Sequence, residues 1–330
     1  MKKFSLVIGA IILVGIGLIG CGNKEVESKT IKIGFPGTQQ LLGGAGGIAQ
    51  GKKYFEDELE KLGYKVDYKP FALAGPAVNE ALASAEIDIA IYADFPGILS
   101  RANGVETKLI GINDNKISSA LIVKPDSNIN SVKDLKGKKI GFTKGTYMHK
   151  YLYQILELNG LEKTDVELIN TADGDSALQG GTIDALVTTD GGEALSVTTK
   201  KQARTIDTSL SHPEITAQSI IIGNAKYVEE NSEAVVAVQK ALIRGREYMR
   251  EDVAGAYKIL SQSGYNEEAI KQIYGKDNEK FDYITLEISE ESKRKLEESK
   301  KFMLDNKLIS QDFDINQWAD NSFYEKAIGK

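Results

Sequence analysis

Cysteine is nearly missing from this chain, which carries Cys21 and no second thiol in 330 residues. That excludes a disulfide, a thiolate metal cluster and a cysteine nucleophile in the folded body. Histidine is almost as scarce, with His149 and His212 as its two representatives, too few for a histidine-rich zinc site. No surplus of basic charge exists either, because 41 Lys and Arg face 47 Asp and Glu. A chain of that balance is a poor match for nucleic acid.

What is present begins at the N-terminus. Lys2 and Lys3 precede an apolar run from Phe4 to Ile19 that closes on Leu18-Ile19-Gly20-Cys21. The run is short for a membrane span of about 20 residues, and a small residue before cysteine fits a lipoprotein secretion signal. The expectation is that residues 1–20 are removed, that Cys21 carries the lipid, and that residues 21–29 form a tether. Acyl chains at about 0.8 kcal/mol per buried CH₂ would then hold the body on the extracytoplasmic face of the cell membrane. The competing reading is an uncleaved anchor helix. Losing Lys2 and Lys3 takes the formal net charge from −6 to −8, and the body left is long enough for one large or two medium domains.

From Ile31 onward, short apolar runs alternate with amphipathic segments, which is the pattern of α/β units with parallel strands. The pattern also repeats. Ile33-Gly34-Phe35 followed by Gly37-Thr38 returns as Ile140-Gly141-Phe142 followed by Gly145-Thr146. Ala81-Leu82 and then Ile87-Asp88 returns with the same spacing as Ala177-Leu178 and Ile183-Asp184. Between them lie matching helix ends at Gly63 and Gly160 and matching second strands at Val66–Tyr68 and Val166–Leu168. The chain thus reads as two copies of β-α-β-α-β. Each copy opens at the carboxyl ends of its strands, so six loops converge on one cleft: 36–40, 72–76 and 92–96 from the first, 143–147, 171–175 and 188–191 from the second. Ser119–Val123 and Ser219–Ile222 flank the second copy and read as two strands crossing between lobes, hence as hinge candidates. This divides the chain into lobe one, 30–118 with 219–330, and lobe two, 119–218. The clearer helices of the return are 229–250, 253–261 and 290–304.

Several stretches resemble the solute-binding lipoproteins of ABC transporters for aliphatic sulfonates, nitrate and taurine. They are Gly47–Gly51 leading to Tyr54-Phe55-Glu56, Ala85–Ala90 leading to Ala93-Asp94-Phe95-Pro96, Ser131–Gly145, and Leu308-Ile309-Ser310 onward to Trp318. The resemblance spans nearly all of the chain beyond the leader. It implies a two-lobed type II periplasmic-binding-protein fold, with parallel-type sheets joined by two crossover strands. It also implies a small anionic or zwitterionic solute, a membrane permease as partner, a monomer, no cofactor and no metal. Two segments depart from the family pattern. An aromatic loop of the sulfonate binders is replaced by Thr188–Gly192, and the first loop is glycine-rich at Gly43, Gly44, Gly46 and Gly47.

The candidate ligand-binding residues follow from the cleft loops. Gly37, Thr38, Gln39 and Gln40 form the first, Gly75 and Pro76 the second, and Tyr92, Asp94 and Phe95 the third. Lys144, Gly145, Thr146 and Tyr147 occupy a strand-to-helix turn that lacks the spacing of a nucleotide P-loop. A helix starting near Thr146 leaves N–H groups that an oxyanion can accept, or Thr146 is simply its N-cap. Lys144 can equally be solvated, and His149, one turn on, is read as structural. Asp94 either caps a helix opening at Phe95-Pro96 or receives an N–H from the solute, and Pro76 reads as the first residue of a helix over 77–84. Thr189 and Asp190 sit in the matching loop of lobe two, where capping explains less. Tyr92, Phe95 and Tyr147 either line the solute or fill the core. Ser131 and Asp134 form a surface capping box. Oxyanion sites combined with carboxylates favour a solute that has both an acidic end and an N–H-donating end. An enzyme on the same scaffold is the alternative, although no G-x-S-x-G elbow and no second cleft histidine support it. A solute-sensing domain is a third reading.

Overall fold

The computed structural model describes residues 29–72, 74–212, 214–215 and 217–330. The expected leader, Cys21 and all of the tether except its last residue lie outside the described residues. The first lobe is built from β1 (Lys29–Pro36), α1 (Gly44–Gly51), α2 (Tyr54–Leu59), β2 (Tyr64–Phe71), α3 (Ala74–Ala83), β3 (Ile89–Ala93), α4 (Asp94–Ala102) and β4 (Thr107–Ile117). The second holds β5 (Ser119–Val123), β6 (Lys139–Phe142), α5 (Tyr147–Leu158), β7 (Glu167–Asn170), α6 (Gly174–Gly180), β8 (Ala185–Thr189), α7 (Asp190–Glu193) and β9 (Arg204–Thr208). The chain then returns through β10 (Ala217–Asn224) to α8 (Ala225–Glu230), α9 (Ser232–Glu251), α10 (Val253–Leu260), α11 (Glu267–Tyr274) and α12 (Glu290–Asp305).

The two sheets have one plan, in the orders β2-β1-β3-β10-β4 and β7-β6-β8-β5-β9. In each, three strands run parallel, and the fourth, β10 or β5, lies antiparallel between its neighbours. The repeated residues account for this likeness atom by atom. Asp88 accepts the Lys32 N–H at 2.8 Å and Asp184 accepts the Lys139 N–H at 2.8 Å, so each carboxylate locks the third-strand approach to the first strand. A Cβ on Gly34 would lie 2.3 Å from Ile87 Cδ1, and one on Gly141 would lie 2.4 Å from Ile183 Cδ1. The recurring Gly and Ile-Asp are therefore two halves of a single contact, made once per lobe.

Alternation along the strands feeds both sheet faces. Ile31, Ile33 and Phe35 of β1 pack with α1, α9 and α10 on one side, whereas Ala90 and Tyr92 of β3 face Val78, Phe95 and Leu296 on the other. In the second sheet, Leu121 and Val123 join the core under α5, while Ala120 and Ile122 join a smaller cluster with Leu178 and Ile183.

Ser119–Val123 and Ser219–Ile222 do not cross between lobes as the sequence suggested. Each is fully paired inside one sheet, β5 with β8 and β9, β10 with β3 and β4. A strand with both edges hydrogen-bonded has no freedom to span a gap. The crossings lie beside these strands: Ser118 on the outward pass, and on the return the step from Ile215, packed in the lobe-two core, to Ala217 at the start of β10. Pro76 is also displaced from its expected position, since α3 begins at Ala74 and Pro76 is its third residue.

Helix α9 buries Ala234, Val238, Ala241, Gly245 and Met249 along one face, the spacing of a helical stripe. It meets α1 so closely that a Cβ on Gly245 would lie 2.2 Å from the Ala45 carbonyl oxygen. Gly245→Ala should therefore cost about 1–3 kcal/mol through overpacking, read as a lower urea midpoint with an unchanged slope. A wild-type midpoint would mean that α9 can shift off α1 at no cost.

Candidate functional site

A cavity of about 140 Å³ lies beside the Ser118 crossing, between the lobes. At the volume a bound water needs, it holds on the order of ten non-hydrogen atoms. Gly43 and Gly44 line it from the start of α1, and Asn113, Asp114 and Ile117 from the end of β4. Ser219 of β10, Ile273 and Tyr274 at the end of α11, and Ile284 add the remaining lobe-one wall, while Asp190, the first residue of α7, closes it from lobe two.

Gly43 and Gly44 are needed here for a close approach. Gly44 has φ +54°, its N–H donates to Tyr274 Oη at 3.1 Å, and a Cβ on Gly43 would lie 2.9 Å from that oxygen. Tyr274 is fixed in turn by Tyr283, whose hydroxyl donates to the Tyr274 carbonyl at 2.7 Å. Asp114 accepts from Lys276 Nζ at 2.9 Å and from the Lys116 N–H at 2.7 Å. Lys276 also donates to the Lys116 carbonyl at 2.6 Å and lies 4.1 Å from the Tyr283 ring centre. Asp190 accepts the Gly191 N–H at 2.8 Å, and its own N–H donates to the Ser118 carbonyl at 3.1 Å. Burial raises its pKa, Lys276 lowers it, and the Asp114 charge raises it again. Tyr147 of lobe two is pushed well up by burial first, then by the carboxylates of Asp190, Asp94 and Asp114.

The lobes also meet on both flanks of this cavity. On one side, Ser299 of α12 donates to Asp94 Oδ2 at 2.9 Å, and Lys150 of α5 donates to the same hydroxyl oxygen at 3.4 Å. Phe302 packs edge-on against His149 and Tyr153, with centroids 5.9 and 6.0 Å apart. Lys163 reaches Asn306 at 2.8 Å. On the other side, Thr198 bonds Gln272, and Ala194 packs on Ala269 and Ile273.

Of the residues singled out from the sequence, Asp190 lines the cavity. Asp94 opens α4 as its first residue instead of capping it from outside, is fully buried, and spends Oδ2 on Ser299. Tyr92 is core, its hydroxyl donating to Asn79 at 2.8 Å, and Phe95 is core against Phe302. Gly75 is buried and close to Pro96, where an added Cβ would lie 2.6 Å from Pro96 Cβ, and Pro76 is exposed. Gly37 donates to the Phe71 carbonyl at 2.9 Å, Thr38 to Gln39 Oε1 at 3.2 Å, and the Gln40 carbonyl accepts from Gln50 at 2.7 Å, so that loop is bonded to its own lobe. Lys144 is exposed. Gly145 has φ +77°. Thr146 occupies the N-cap position but turns its hydroxyl back to the Thr143 carbonyl at 2.7 Å. Thr189 caps α7, accepting the Gly192 N–H at 2.9 Å.

Sequence reasoning missed Asn113, Asp114, Ile117, Ile273, Tyr274 and Ile284, and it used Ser219 only as a strand. None belongs to the repeat, which is why the repeat did not reveal them. A usable signal was the polar triplet Asn113-Asp114-Asn115 inside an otherwise apolar strand run.

The model of the NMT1/THI5-like family matches residues 47–256. The chain belongs to that family. It is 29% identical over 333 residues to a Bacillus subtilis protein provisionally named an aliphatic sulfonates-binding protein, covering 99% of this chain and 97% of that one. Among solved structures, a periplasmic sulfonate-binding protein, SsuA, provisionally titled, from Methylobacillus flagellatus aligns with TM-score 0.74 at 25% identity, over 91% of this chain and 94% of its own. A desulfurization enzyme, DszB, aligns with TM-score 0.73 at 17% identity over 91% of this chain and 99% of its own, a likeness of fold. The two-lobed periplasmic-binding-protein architecture is thus the architecture of this family member. Among the described residues no helix is long and apolar enough to cross a membrane.

The flank at Asp94 generates a pH prediction. Burial pushes Asp94 up from 3.8 to about 6, against the opposing pull of Lys150. Burial first, then Lys144 and Lys163, push His149 down from 6.5 to about 4. Between pH 4 and 6 the folded protein holds a proton on Asp94 that the unfolded chain releases, so this contribution grows as pH falls. In the same window folded His149 lacks a proton that the unfolded chain binds, so its contribution shrinks. Each has a limiting slope of about 1.4 kcal/mol per pH unit. Relative to wild type, Asp94→Asn should lose stability on acidification and His149→Gln should gain it, as followed by urea denaturation across the window. Parallel profiles for all three proteins would exclude these protonation states.

Proposed function

We propose that this protein is the extracytoplasmic solute-binding component of an ABC import system, closing its two lobes over a small organic anion or zwitterion such as taurine or an alkanesulfonate. The observation that carries the reading is the cavity between lobes that touch on both flanks, in a chain whose long-range relatives are named for sulfonate binding. Closure works when the solute binds the closed arrangement better than the open one. The closed monomer then hands its cargo to a membrane permease. A leader ending at Gly20 and a lipid on Cys21 would keep it at the membrane surface. The competing reading, an enzyme on the same scaffold, is supported by the fold-level likeness to the desulfurization enzyme.

In a bacterial host, Cys21→Ser should abolish palmitate labelling and release the protein from the membrane fraction; retained label on the serine variant contradicts the anchor.

Small-angle scattering should give a smaller radius of gyration with saturating taurine or alkanesulfonate than without. The bound solute should stabilise the fold by about 2.7 kcal/mol at a hundredfold excess over its dissociation constant. Consumption of the solute by purified protein alone would favour the enzyme reading.

A further inference from the structure

The cavity is unequal in its capacity to give and to accept hydrogen bonds. Its lining N–H donors are largely spent: Gly44 donates to Tyr274, Asn113 Nδ2 donates to Ser219 Oγ at 3.3 Å, and Gly191 donates to Asp190. Its acceptors are not. Asn113 is nine-tenths buried, at 9% exposure, and its Oδ1 has no hydrogen-bond partner. Asp190 accepts the Gly191 N–H on Oδ1, and its carboxylate also meets the Ser118 backbone N–H; both are neutral donors that leave it without a cation of its own. Two carboxylates, Asp114 and Asp190, share Lys276 as their neighbouring cation, and Lys276 is already committed to Asp114 and the Lys116 carbonyl. An anion placed against this wall meets net negative charge and open acceptors, both of which repel it. A protonated nitrogen satisfies both at once, through charge-assisted bonds.

We infer that Asp190 and Asn113 form the receiving end for a positively charged or N–H-rich nitrogen of the solute, so that the protein selects nitrogen-bearing solutes and discriminates against simple alkanesulfonates. The inference rests on the solute-binding reading and narrows its substrate class. The Tyr274 hydroxyl accepts from Gly44, which leaves its own O–H to donate to an acidic group when the solute carries one. The selectivity arises because an analogue without that nitrogen brings no positive charge to the Asp114 and Asp190 carboxylates and at most a neutral donor to Asn113 Oδ1.

The test compares three probes on the purified full-length mature protein by calorimetry and thermal shift: taurine, its hydroxyl analogue isethionate, and acetamidinium. Taurine should bind more tightly than isethionate by roughly tenfold or more, and acetamidinium should raise the melting temperature at millimolar concentration. Asp190→Asn should bring the taurine-to-isethionate affinity ratio down to about one. Asn113→Asp, which adds a charge at the same wall, should strengthen acetamidinium and weaken isethionate, and it serves if the first variant fails to fold. Silence of both sulfonates together with binding of acetamidinium would uphold the nitrogen site and remove sulfonates as the solute class. Isethionate binding as well as taurine, or no response to either nitrogen-bearing probe, would overturn the inference.

Discussion

The closed arrangement depends on a buried polar bridge in which one hydroxyl, Ser299 Oγ, stands between a carboxylate of one lobe and an ammonium of the other. Asp94 is fully buried and Lys150 is 2% exposed, so both have left water, which costs several kcal/mol per ion unless each finds compensation nearby. That compensation exists when the lobes are together. Burial still holds Asp94 above the ordinary carboxylate range and Lys150 below the ordinary ammonium range. The bridge is therefore closer to a gauge of closure than to a source of stability, and the ring contacts of Phe302 with His149 and Tyr153 supply apolar contact around it.

Much of the scaffold could be read before any coordinates. Ile-Gly-Phe and Ile-Asp recur because a strand must pass tightly over an isoleucine while an aspartate pins its neighbour's N–H, and both demands are local enough to show in spacing. The cleft itself was less legible. Asp94 and Pro76 were misplaced because a helix start was inferred from proline, whereas α4 and α3 begin earlier, at Asp94 and Ala74. The crossings were misplaced because an apolar strand and a linker beside it look alike in a pattern, until pairing shows which of them is free. Helix α11, which delivers Tyr274, repeats nothing elsewhere in the chain, and no spacing rule pointed to it.

Family membership and site chemistry answer different questions here. The NMT1/THI5-like match and the full-length relative account for the two-lobed frame. The character of the wall comes from a handful of positions, Asn113, Asp114, Asp190, Ser219 and Tyr274. A fold of this kind hosts binders and, in a distant structural neighbour, a desulfurization enzyme, so what a member holds must be argued from its own wall.

The two sheets are near copies, and a cleft built from copies alone would look much the same from either end. This cavity draws on them unequally: Asp190 is its one lining residue from lobe two, and the lobe-one wall includes the tip of α11 and Ile284, parts that have no counterpart in the second sheet's lobe. The single-copy parts break the pseudo-twofold relation and give the cavity a head and a tail. A guest with two unlike ends consequently has one way round to lie. Change of guest can proceed by drift in these unduplicated segments while the paired Gly-Ile and Asp contacts of both lobes remain untouched.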